Sequence, residues 1–196
     1  MNLSAKMFIV LTLIAVLSGG LLSALNNVTA PRIEQHRIRE LKAAIVEVLP
    51  AHDFYEEVSQ GEVTLYVGKK TERSATVGVA TRLIGSGFQD KISIMVGINP
   101  DFTELTGFKV LEQNETPGLG NKILEDPSNK TNAFWFPEQF KGLKFKPEIT
   151  VIKNVKPSKP NEIQAISGAT ISSKAVVNIL NSQLERVQMV YQAKSR

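Results

Sequence analysis

Cysteine is absent from the 196 residues, which excludes disulfides, thiolate metal centres, cysteine-ligated iron–sulfur clusters and thioether-attached haem. Any redox chemistry must therefore use an organic cofactor. Histidine is scarce as well: His36 and His52 are the two in the chain, far apart and without neighbouring carboxylate clusters, so a histidine-based metal site is not expected. Neither charge sign prevails strongly, since 23 basic and 19 acidic residues leave a net +4. Aromatic residues make up 7% and are not interleaved with basic ones as a nucleic-acid platform requires, so DNA and RNA are not expected partners. A Rossmann glycine pattern, internal repeats and low-complexity tracts are also missing. The hydrophobic content of 42% fits one globular domain with a small additional element.

That element is at the amino terminus. Met7 to Leu25 is an uncharged apolar run that as a helix spans about 28 Å, close to the thickness of a bilayer's hydrocarbon core. A cleaved signal peptide competes with this reading, because Lys6 precedes the run and Val28, Thr29 and Ala30 loosely imitate a cleavage site. Length favours a retained anchor over residues 1–30. Arg32, Arg37, Arg39 and Lys42 follow it, and a strict count of basic residues favours a cytoplasmic body.

Ile33, Ile38, Leu41, Ala44, Ile45 and Val48 recur at helical spacing and predict an amphipathic connecting helix over 31–50, beginning at Pro31 and ended by Pro50. Residues 51–196 then form the domain. Val63, Leu65 and Val67 alternate, and Ala75–Ile84, Ile92–Ile98 and Leu105–Leu111 are β-branched runs separated by turn residues, which predicts an antiparallel sheet. Ile149 to Ile152 adds a candidate strand, and Lys156 to Pro160 reads as a loop. Phe134, Trp135, Phe136 and Phe140 are expected in the core. From Ser172, the positions Ala175, Val176, Ile179, Leu180, Leu184, Val187 and Val190 mark one face of a final helix that covers the sheet. The fold class is α+β with a single membrane helix and a mainly antiparallel sheet. Charge is uneven: residues 141–196 hold 10 basic and 3 acidic groups, so an anion is welcome there.

Two segments combine small residues with hydroxyls: Glu115-Thr116-Pro117-Gly118-Leu119-Gly120 and Ser167-Gly168-Ala169-Thr170-Ile171-Ser172-Ser173. In the second, a strand-like approach through Ile163 and Ile166 meets a glycine turn just before the final helix. Free amides and the positive end of the helix dipole gather there, a physical basis for holding phosphate. The plainer alternative is that Thr170 or Ser172 caps the helix and that Thr-Pro-Gly is a turn. Spacing alone leaves both readings open.

Ser167-Gly168-Ala169-Thr170 resembles the covalent flavin-attachment motif of FMN-binding domains. Glu115 to Gly120, the aromatic segment around Trp135 with Gln139-Phe140-Lys141-Gly142, and one amino-terminal anchor extend the resemblance along nearly the whole chain. The family it points to contains the G subunit of the Rnf electron-transport complex and the related C subunit of the sodium-pumping NADH:quinone reductase. The resemblance implies FMN in phosphoester linkage to Thr170, with Ser167, Gly168, Ala169, Ile171 and Ser172 around the attachment. It implies that Glu115, Thr116, Gly118, Leu119 and Gly120 lie near the flavin. A flavin transferase would carry out the attachment, where Gln164 replaces the family's usual aspartate. The implied role is electron relay between ferredoxin and NAD, with the other membrane and peripheral subunits of an ion-translocating complex as partners, in the inner membrane with the flavin domain outside the cytoplasm. Nothing in the sequence predicts independent catalysis. Two rivals are a membrane-anchored flavin reductase with reversible FMN and an unflavinylated assembly subunit.

Overall fold

The computed structural model describes residues 2–71 and 73–194. It divides into two compact units, 1–40 and 41–196. Helix α1 runs unbroken from Leu3 to Val48, so the apolar and amphipathic segments belong to one helix. Proline is common at a first helical position, which is why Pro31 reads as a start. Here it lies inside the helix and leaves the Asn27 carbonyl without its usual donor. In the first unit the large apolar side chains from Leu3 to Leu25 are all exposed. Among the described residues α1 is the one helix long and apolar enough to cross a membrane, and an apolar surface of that extent calls for hydrocarbon rather than water around it.

The second unit is built on a five-stranded antiparallel meander: β1 (Phe54–Gln60), β2 (Val63–Lys69), β3 (Thr76–Ser86), β4 (Lys91–Ile98) and β5 (Leu105–Glu112), in sequential order. Alternation along the strands decides the faces. Leu65, Val67, Val79, Leu83, Ile94 and Val96 point to one side, where Val176, Ile179, Leu180, Leu184 and Val187 of helix α3 (Thr170–Lys194) complete the main core. Tyr66, Ala80 and Met95 point to the other side and are covered by Ala44, Ile45, Val48 and Leu49 at the end of α1. That approach needs two glycines in register, Gly97 opposite Gly107. A Cβ on Gly97 would lie 2.0 Å from the Val48 carbonyl oxygen, and one on Gly107 would lie 2.6 Å from Val48 Cα. The Thr106 hydroxyl donates to the same carbonyl at 2.7 Å, satisfying one of the helix's terminal acceptors.

Between β5 and α3 the chain forms a 3-10 turn (Gly120–Ile123), the single helical turn α2 (Trp135–Glu138), and the short strands β6 (Thr150–Ile152) and β7 (Glu162–Gln164). These two strands pair in parallel, beside a sheet that is otherwise antiparallel. Asn181 of α3 fixes the start of β6 by accepting from the Ile149 amide at 3.0 Å and donating to the Ile149 carbonyl at 2.9 Å. The aromatic cluster divides in a way its composition does not suggest. Phe136 and Phe140 are fully buried, and Phe140 stacks on Phe108 at 4.2 Å. Phe134, expected in the core, is 51% exposed, because neighbouring positions around a helical turn cannot all face inward. Trp135 is half-buried.

Candidate functional site

Two turns of the same kind build the site. In the first, the Leu119 amide donates to the Thr116 carbonyl at 3.1 Å, with Pro117 second and Gly118 third at φ +75°. In the other, the Ala169 amide donates to the Ile166 carbonyl at 3.0 Å, with Gly168 third at φ +81°. Both have the signature of a type II turn, whose third position has positive φ and favours glycine. The fold sets one turn against the other, since a Cβ on Gly168 would lie 3.2 Å from Leu119 Cδ2. The two motifs, about fifty residues apart in the chain, thus form one surface.

Glu115 holds this surface together from behind. Its side chain is buried. Oε1 accepts the amides of Phe88 at 2.7 Å and Gln89 at 3.2 Å, and Oε2 accepts the Ser172 hydroxyl at 2.5 Å. One carboxylate therefore ties the β3–β4 turn and the first turn of α3 to the 115–120 segment. Glycine provides the space: a Cβ on Gly87 would lie 2.3 Å from Oε1, and one on Gly120 would lie 2.6 Å from Ser172 Oγ and 2.7 Å from Oε2. With both oxygens engaged by protein donors, Glu115 acts through the residues it positions.

Helix α3 begins at Thr170, earlier than the apolar periodicity alone indicates. The amides of Thr170, Ile171 and Ser172 therefore fall in the first turn, where no intrahelical carbonyl is available, at the positive end of a 25-residue helix. The hydroxyls around them have separate fates. Ser173 Oγ accepts the Ile166 amide and donates to the Ala169 carbonyl, each at 3.0 Å, while Ser172 is committed to Glu115. Neither Thr170 nor Ser172 caps the helix through its side chain, contrary to the simpler reading. Thr170 is half-buried, and its hydroxyl has no hydrogen-bond partner among the described residues.

Around Thr170 the placements are graded. Ala169 is buried and Thr116 half-buried, whereas Ser167, Gly168 and Gly118 are exposed. Leu119 and Ile171 expose apolar side chains at 46% and 60%. Beside Ser167 lies a cavity of about 430 Å³ lined by Lys122, Asp126, Asn129, Trp135, Gln164 and Ile166, among others. Gln139 fixes its floor by accepting the Gln164 amide at 2.7 Å and donating to the Gln164 carbonyl at 3.2 Å. Asp126 is held by the Ser128 hydroxyl, the Trp135 indole N–H at 3.2 Å and Lys122 at 3.1 Å. Its carboxyl sits at about 2, below the ordinary carboxylate value. The Ser128 hydrogen bond is the main cause, desolvation opposes it, and Trp135 and Lys122 assist. Asn121 Oδ1, next to Gly120, is a buried acceptor without a partner among the described residues. Sequence reasoning missed Asn121 and the Asp126 network, since neither departs locally from an ordinary loop.

The pattern of the FMN-binding domain family matches residues 87–185, which takes in the β3–β4 turn, both glycine turns and most of α3. The G subunit of the Na(+)-translocating ferredoxin:NAD(+) oxidoreductase complex of Acetobacterium woodii is 31% identical, over 97% of this chain and 93% of its own. The G subunit of the ion-translocating oxidoreductase complex of Methanosarcina acetivorans is 30% identical, over 93% of each chain. The crystal structure of Shewanella oneidensis NqrC shares the fold, with a TM-score of 0.52 at 20% identity over 70% of this chain and 66% of that one. With its paired glycine turns inside the matched region and its similarity to these subunits along nearly its whole length, the chain belongs to the FMN-binding domain family as a G subunit of the ion-translocating oxidoreductase complexes.

Proposed function

We propose that this chain is a covalently flavinylated electron relay, with FMN linked through its phosphate to Thr170, anchored in the inner membrane by α1 with the flavin domain on the extracytoplasmic side. One observation carries the assignment of the attachment residue. In the first turn of α3 the Ser172 and Ser173 hydroxyls are engaged by protein partners, while Thr170 is half-buried and its hydroxyl is uncommitted among the described residues.

The residues present fit FMN. Its phosphate is an acceptor, and the first amides of α3 are donors. Its ribityl hydroxyls and ring N–H are donors, and Asn121 Oδ1 is a buried acceptor that lacks one among the described residues. Its ring system is largely apolar, and the exposed Leu119 and Ile171 flank the turns. A cavity of about 430 Å³ beside Ser167 offers room for a ring system of that size. When bound, FMN supplies one- and two-electron redox chemistry. The chain's part is to hold it. Gly168 allows close approach to the backbone, the helix amides stabilise the remaining negative charge of the phosphodiester, and Glu115 fixes the β3–β4 turn relative to Thr170. Attachment is the work of a separate flavin transferase, as the resemblance of the Ser167–Thr170 motif implies. Other subunits of the complex then serve as donor and acceptor.

The test is mass spectrometry of the full chain co-produced with a flavin transferase, denatured before measurement. The expected result is a gain of one FMN less the elements of water, located on the peptide that contains Thr170. Thr170→Val, nearly isosteric, should abolish the gain while leaving the melting temperature within a few degrees. An unmodified wild-type chain, when a control carrying aspartate at position 164 is modified, would assign the loss to Gln164 and favour the unflavinylated assembly subunit. Flavin that washes out on denaturation would favour the reversible reductase.

A further inference from the structure

Residues 141–160 carry six lysines, at 141, 144, 146, 153, 156 and 159, against the single acidic residue Glu148. Three of them lie on the strap between β6 and β7, where every residue from Lys153 to Pro160 is exposed. The strap is held in shape. The Glu162 carboxylate accepts the Ser158 amide at 3.0 Å, the Ser158 hydroxyl at 3.2 Å and the Lys159 amide at 3.2 Å. The Lys144 amide donates to the Pro160 carbonyl at 2.9 Å. Lys159 reaches Glu162 at 3.6 Å, whereas Lys153 and Lys156 have no ion-pair partner among the described residues. Position matters as much as charge. The Ala165 amide donates to the Ile152 carbonyl at 2.9 Å, so Lys153 begins the strap alongside the loop that leads to Ser167 and Thr170.

We propose that this strap, Lys153–Lys159, is a docking surface for an acidic patch on the subunit that exchanges electrons with the Thr170 site. The inference rests on the electron-relay reading given above. A bare solvated face would need no clamp, and the Glu162 carboxylate accepts three hydrogen bonds that fix the Ser158–Lys159 end of the strap. An anionic membrane is the other surface that attracts lysines. It is disfavoured here because the strap adjoins the redox loop rather than α1 in sequence, and it exposes Val155 as its lone large apolar residue instead of an amphipathic face. Rim charges of this kind act mainly on encounter rate and are screened by salt.

The test uses the full chain, flavin-loaded in neutral detergent, and the rest of the complex purified from cells that lack this subunit. The association rate is measured for wild type, for Lys153→Gln/Lys156→Gln/Lys159→Gln, and for the corresponding triple arginine variant. The glutamine variant should associate about tenfold more slowly at low ionic strength, and the gap should close at high salt, where the Debye length shrinks to about 3 Å. The arginine variant should match wild type. Equal rates at low salt, or a deficit that salt leaves unchanged, would overturn the proposal. A deficit seen with phosphatidylglycerol vesicles but not with the subunits would overturn it in favour of the membrane. Intact mass of the chain co-produced with a flavin transferase separates the two claims: if it gains no FMN yet still associates in this salt-dependent way, the relay reading fails and the docking surface stands.

Discussion

Replacing Glu115 by alanine tests whether one buried carboxylate holds the surface of the two glycine turns together. The substitution removes the acceptor for the Phe88 and Gln89 amides and for the Ser172 hydroxyl. The hydroxyl can rotate towards another partner, but the two amides are fixed by the turn. Both amides belong to exposed residues of the turn, but a hydrogen bond to a charged group still contributes about 1.5–3 kcal/mol, so the two set an upper range of about 3–6 kcal/mol. Water entering the space, and relief from burying a charge, offset part of this, and about 3 kcal/mol of lost stability is the expected result. For a domain of this size that corresponds to a fall in melting temperature of about 6–12 °C. Thermal unfolding of the full chain in neutral detergent, followed by near-ultraviolet circular dichroism, measures it. Hydrogen exchange gives the local signature: the Phe88 and Gln89 amides should lose protection more than strand amides in β4. Glu115→Gln keeps one oxygen for the amides and reverses the bond to Ser172, so about 1–2 kcal/mol should be lost. An alanine variant that melts within about 2 °C of wild type, with both amides still protected, would refute the clamp.

Other consequences follow from the same geometry. Gly168→Ala imposes a side chain at φ +81° and 3.2 Å from Leu119 Cδ2, so it should cost about 1–2 kcal/mol in a urea titration and lower the flavin occupancy of Thr170 read by intact mass. Gly97→Ala drives a methyl into the Val48 carbonyl. It should cost about 1–3 kcal/mol or more, and proteolysis should then cut near residues 49–53. The Asp126 carboxyl, held at about 2 in the folded chain, contributes stability that is present above the ordinary carboxylate value and is lost as pH falls from about 4 through 2. Wild type should therefore lose urea resistance across that window more steeply than Asp126→Asn, and parallel curves would refute the assignment.

The sheet was legible wherever its strands are buried on a face. β2 to β5 read as alternating or β-branched runs, and the register partners Leu65, Thr81 and Val96 lie in line across the sheet. β1 was not legible, because it is an edge strand and none of its residues Phe54–Gln60 is fully buried, and a strand without a buried face leaves little pattern. The three-residue strands β6 and β7 are set by Asn181 and Gln139 from elsewhere in the fold, so their parallel pairing has no local signal. Pro31 illustrates the opposite error, a strong local signal overridden by the continuity of α1.

The candidate site divides along the same line. Both glycine turns could be read from Thr-Pro-Gly and Ser-Gly-Ala, because turn chemistry is local. What connects them could not. Glu115 meets Ser172 across 57 positions and Phe88 across 27, and a glutamate in a loop reads as solvated until the fold buries it. The glycines gave the one sequence-level trace of that connection. Gly87 and Gly120 flank the carboxylate because any side chain there would occupy its place, so two glycines that look like punctuation mark the volume of a third residue. The same reasoning bears on Thr170. A hydroxyl at a helix start is ordinarily a cap, and what separates it from Ser172 and Ser173 is that those two already have partners. The first turn of α3 supplies three hydroxyls within four residues, and tertiary contacts leave that of Thr170 uncommitted among the described residues.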